Sequence, residues 1–82
     1  MAMQKVEVGL EVVDLPAGTL AFQNQVTEPL FYAFDDEQAF FVADKNDIVK
    51  PPTNATVKVK YKTINSYYGK EKDTNDVVCY VP

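Results

Sequence analysis

Polar and apolar residues alternate along much of this chain, and the alternation predicts strands. Residues 5–13 place Val6, Val8, Leu10 and Val12 on one face and Lys5, Glu7, Gly9 and Glu11 on the other. Successive strand side chains point to opposite sides, so this is the pattern of a half-buried strand. Leu15-Pro16-Ala17-Gly18 then supplies a fixed φ and a permissive glycine at turn spacing. A second strand is expected to run back from Thr19 to Val26. Residues 57–64 are the clearest strand, with Val57, Val59, Tyr61 and Thr63 facing one way and Lys58, Lys60 and Lys62 the other. Residues 77–81 read as the last strand, stopped by Pro82.

The middle of the chain admits two readings. Residues 30–34 and 38–43 are aromatic and flank Asp35-Asp36-Glu37, which predicts a hairpin with an acidic tip. The rival is a short helix within 28–50, capped by Thr27, carrying Pro29 in its first turn and burying Leu30, Ala33, Phe34 and Phe41. Aromatic and β-branched enrichment favours strands. Asp44 to Thr56, with Pro51-Pro52, is expected to be a connecting loop with at most one turn at Asp47–Lys50. Asn54-Ala55-Thr56 fits a glycosylation pattern but is read as a turn. The expected architecture is all-β and mainly antiparallel, a five- to six-stranded barrel or sandwich forming one domain over 1–82.

Composition sharpens this picture. A hydrophobic content of 46%, with five Phe and five Tyr and a net charge of −4, excludes a disordered chain. The sequence contains neither His nor Arg. The first absence removes the usual general base and commonest zinc ligand. The second removes bidentate grips on phosphate and guanine, so sequence-specific nucleic-acid binding is not expected. No apolar run resembles a signal sequence or reaches the roughly 20 residues of a membrane span, so no membrane partner is expected. With one cysteine, the expected setting is cytoplasmic, in a bacterial or viral context.

Chemistry finds few candidates. Cys79 lies in an apolar strand without a histidine to activate it, so core packing is its expected role. Asp35, Asp36 and Glu37, Asp44 to Asp47, and Asp73 to Asp76 place carboxylates in turns, without the spacing of a calcium loop. No catalytic, cofactor-binding or metal residue is assigned, and the chain is not expected to be an enzyme.

The candidate partner-binding residues are Lys58, Lys60, Lys62, Tyr67 and Tyr68. The lysine ladder has three readings: a grip on an acidic partner or phosphate backbone, cross-strand pairing with Glu7 and Glu11, or protection of a sheet edge. Tyr67 and Tyr68 are amphipathic contact residues in a polar loop. Residues 1–47 hold nine acids and two Lys, while 48–82 hold six Lys and three acids. Segregated in space, these segments would make a charge dipole; intermixed in one sheet, they would cancel. The functional expectation is a non-catalytic interaction protein that assembles with itself or a larger partner through β edges and charged faces, as a homo-oligomer or an accessory phage or virion component. The alternative is a small-molecule-binding module with Phe34, Phe40 and Tyr61 lining a pocket.

Overall fold

The computed structural model of this chain describes residues 2–35, 39–64 and 74–82, which carry eight strands. They are β1 (Ala2–Val8), β2 (Val13–Asp14), β3 (Ala21–Asn24), β4 (Leu30–Phe34), β5 (Phe41–Ala43), β6 (Ile48–Val49), β7 (Val57–Tyr61) and β8 (Asn75–Val81). Two four-stranded sheets result, ordered β1-β8-β3-β6 and β2-β7-β4-β5, and every pairing is antiparallel.

The order has a simple origin. First pairs with last, second with seventh, third with sixth and fourth with fifth, so the chain is one long ribbon folded at the β4–β5 hairpin. Rolling the ribbon sets β8 beside β3 and β7 beside β4. This is the strand order of the eight-stranded jelly roll. The sheets remain open rather than closing into a barrel, and eight strands replace the expected five or six.

The core fills the space between the sheets. Val8, Phe22, Val77 and Cys79 from one sheet meet Leu30, Ala43, Val57, Val59 and Tyr61 from the other, with Leu15 closing one end. Phe22 and Tyr32 touch edge to face across the gap, their centroids 5.5 Å apart. On β7, Val57, Val59 and Tyr61 are all buried, as their alternation predicts.

Three local expectations are corrected. The helix within 28–50 does not form among the described residues: Leu30 lies opposite Ala43 and Tyr32 opposite Phe41 in a hairpin. β4 is bonded on both edges, to β5 and β7, so its backbone groups are satisfied in the ladder without a helix. Residues 5–13 do not form one strand either. Val13 pairs with Val59, while the Tyr61 N–H donates to the Gly9 carbonyl at 2.8 Å. The segment from Gly9 to Val13 thus spends four steps where β7 takes two, and it bulges as the chain passes from one sheet to the other. Leu10 and Val12, expected inside, are 56% and 46% exposed. Finally, Ile48–Val49 is not a turn but β6, paired with Gln23 and Phe22.

Three turns share one scheme. Thr19, Asp47 and Ala55 each donate a backbone N–H to the carbonyl three residues earlier, on Pro16, Asp44 and Pro52. The third residue of each turn has positive φ: Gly18 at 80°, Asn46 at 68° and Asn54 at 63°. Glycine and asparagine are the residues that tolerate this backbone.

One polar side chain links the two sheets from a fully buried position. Asn24 is fully buried; its Nδ2 donates to the carbonyls of Glu28 (2.9 Å) and Ala43 (3.0 Å). Its Oδ1 accepts from the Tyr61 hydroxyl (2.8 Å) and the Val26 N–H (3.3 Å). The amide therefore joins β3 to β5 and β7 in the opposite sheet.

Candidate functional site

The outer face of the β2-β7-β4-β5 sheet holds the lysine ladder. Register sets Lys58 beside Asp14 and Ala33, and Lys60 beside Phe31, which in turn neighbours Val42. The Lys60 ammonium lies 4.7 Å from the centroid of Phe40, a cation–π contact. An open groove of about 400 Å³ runs here, lined by Leu10, Phe31, Phe40, Lys60, Tyr61 and Lys62. Tyr61 stands behind it with its side chain turned inward to Asn24.

Two readings of the ladder are overturned. β7 lies between β2 and β4, so it is an inner strand and Lys58 and Lys60 protect no sheet edge, while Lys62 lies one residue past its end. Glu7 belongs to the other sheet, where it stands opposite Asp76, and Glu11 lies in the bulge; the register partner of Lys58 is Asp14. The sequence could not show this, because strand neighbours in a rolled ribbon are far apart along the chain. Tyr67 and Tyr68 lie outside the described residues. Of the aromatics expected around a pocket, Phe40 and Tyr61 stand at the groove, whereas Phe34 packs against the core beside Tyr32. Leu10 and Phe31 are groove residues that periodicity assigned elsewhere or left unassigned.

Among the described residues the two oppositely charged segments are not segregated. Each sheet draws strands from both halves of the chain, and of the six pairings only β4 with β5 joins strands of the same half. Acidic and basic segments are therefore interleaved.

A second surface is the edge of the other sheet. β1 runs seven residues with β8 on one side, and no described residue pairs with its other side. The remaining edge strands, β2, β5 and β6, have two, three and two residues. On the outer face next to β1, Met3 (64% exposed), Tyr80 and Ala21 form an apolar row across three strands.

The other candidate chemistry is used structurally. Cys79 is fully buried, and burial pushes its thiol up to about 11. The Asp35 carboxylate accepts from the Thr56 N–H at 3.0 Å, and that of Asp47 from the Asp44 N–H at 2.9 Å. Among the described residues no three His, Cys, Asp or Glu side chains gather in a metal-sized group, and no helix is long and apolar enough to cross a membrane.

These features define a class: a small jelly-roll domain with one long open edge strand and a lysine-rimmed apolar groove. Comparison with family models, with curated proteins and with solved structures returned no match.

Proposed function

We propose that this protein is a non-catalytic assembly component that joins copies of itself through β1. The observation that carries the reading is the seven-residue strand Ala2–Val8, which stands at one edge of its sheet with no described residue paired to its outer side. A strand edge presents a row of unpaired N–H and C=O groups, and proteins blunt edges they do not use by shortening them. β2, β5 and β6 are short in this sense, and β1 is not. Antiparallel pairing of two copies centred on Val6 would also set Lys5 of each opposite Glu7 of the other, which favours a closed twofold contact. The row of Met3, Tyr80 and Ala21 lies beside the same edge and would extend the buried area beyond the strand itself. Jelly rolls recur in virion shells, and that analogy of fold supports an accessory virion role.

Sedimentation velocity over a concentration series tests the reading. The expected result is a dimer that Lys5→Glu weakens, because carboxylates then oppose one another at the pairing, while circular dichroism shows an unchanged fold. A monomer at every concentration, or a dimer indifferent to both Lys5→Glu and Met3→Glu, would refute it.

A further inference from the structure

We propose that the groove over β7 and β4 binds a small organic anion, its carboxylate or phosphate head held by Lys60 and Lys62 and its aromatic or branched aliphatic body resting on Phe31, Phe40 and Leu10. The site is independent of the β1 edge, which belongs to the other sheet.

Four observations converge on it. First, the floor is apolar where a solvated sheet face would be polar. Phe31 is outward on an inner strand, flanked by Lys60 and by Val42, which is 50% exposed. Second, the bulge between Gly9 and Val13 turns Leu10 out of the core, leaves it 56% exposed and makes it a wall of the groove. Bulges re-aim side chains in this way, and an exposed leucine beside two phenylalanines is a contact surface for an apolar body. Third, the charged lining is of one sign among the described residues: Lys60 and Lys62 line the groove, and no described carboxylate does. The nearest register acid, Asp14, is opposite Lys58 instead. Fourth, the contact with Phe40 parks the Lys60 ammonium over the floor, 4.7 Å from the ring centroid, so the cation is held where a ligand head would meet it.

Size and charge select the ligand class. A volume of about 400 Å³ falls at the small end of ligand clefts. Lys60 on β7 and Lys62, one residue past the end of that strand, both line the groove, so a single carboxylate or phosphate can meet two ammonium groups. A polyanion such as nucleic acid would meet the repulsion of a chain with net charge −4 and no arginine. A single anionic head meets first the charges that line the groove, and among the described residues these are Lys60 and Lys62.

Amide-resolved NMR titration of the full chain tests the proposal with three probes: 3-phenylpropionate, phenyl phosphate and 3-phenyl-1-propanol. Both anions should give saturable shifts at Leu10, Phe31, Phe40 and Lys60 to Lys62, with dissociation constants on the order of a millimolar. The alcohol should bind roughly tenfold more weakly, because it lacks the charge. The ranking of the two anions identifies the preferred head. K60Q/K62Q should weaken both anions roughly tenfold and leave the alcohol unchanged, whereas Leu10→Ser should weaken all three. Lys5→Glu should leave the titrations unchanged, which separates this site from assembly through β1. Equal binding of the alcohol, no saturable shift at the groove residues, or anion binding unchanged in K60Q/K62Q would overturn the proposal.

Discussion

Asn24 is fully buried, yet both ends of its amide are engaged, with two carbonyls on one side and a hydroxyl and an N–H on the other. A buried polar group is tolerated when it is satisfied, and removing it strands its partners. Asn24→Leu should therefore destabilise the protein by about 2–4 kcal/mol although it adds apolar surface, because the Ala43 and Glu28 carbonyls and the Tyr61 hydroxyl lose their partner. Tyr61→Phe should cost only about 1–2 kcal/mol, since the Asn24 oxygen keeps the Val26 N–H. Urea denaturation measures both, and a double-mutant cycle should show the two changes to be non-additive. An Asn24→Leu variant as stable as the native chain would dismiss the network as incidental.

The same core fixes a pH dependence. Burial raises the Cys79 thiol from 9.0 to about 11. Burial, aided by the charges of Glu28 and Asp76, also raises the Tyr61 phenol above its ordinary 10.0. Both groups hold their protons more tightly folded than unfolded, so their contribution is complete below pH 9 and is lost as the pH rises. Between pH 9 and 11 the unfolded thiol ionises first, and stability should fall by roughly 2 kcal/mol from Cys79, with Tyr61 extending the decline above pH 10. Denaturation midpoints from pH 8 to 11 check this, and Cys79→Ala should flatten the first part of the curve. A profile unaffected by that substitution would exclude the thiol as its cause.

At the scale of elements, β7 was legible because it alternates through enough residues to show a period of two, and the β4–β5 hairpin was favoured over a helix by its aromatic and β-branched enrichment. β1 and β2 were not. Their residues keep an unbroken alternation from Val6 to Val12, but the sheet change at Gly9 ends its meaning, and Leu10 and Val12 face solvent. Val8 lies in the core. Val8→Ala should thus cost about 1–3 kcal/mol, while Leu10→Ala should cost under about 0.5 kcal/mol. Thermal melts decide the matter: equal losses at the two positions would restore a single strand over 5–13. β6 was hidden for a different reason. Two residues carry no period, and Ile48–Val49 is a strand only because Phe22 and Gln23 lie alongside. The groove fell between these cases, since its lysines and Phe40 were singled out but Leu10 entered it only through the bulge.

For the whole molecule, the rolled ribbon places Ala2 beside Val81, so the outermost pairing closes nearly the full chain. Contacts of such long range must be formed against chain entropy before they stabilise anything. Refolding should therefore be slow for the size, in the millisecond-to-second range shown by domains rich in non-local β pairing, and stopped-flow fluorescence of the tyrosines would measure it. Microsecond folding would contradict the topology. The interleaving of acidic and basic segments belongs to this scale as well. Among the described residues it leaves local features such as the groove to supply electrostatic attraction.

The sequence by itself determined the class of structure: all-β and mainly antiparallel, with a short helix within 28–50 left open, and with Val57, Val59, Tyr61 and Cys79 inside and Lys58, Lys60 and Lys62 outside. It could do so because the pleat turns alternate side chains to opposite faces, and that rule acts over a few residues. Only the tertiary structure decided which strands are neighbours, where the chain changes sheet, and which exposed side chains share a groove or line an edge. Those outcomes depend on pairings between distant segments such as Gly9 with Tyr61 and Ala2 with Val81, whose backbone hydrogen bonds carry no signature in the side chains that flank them.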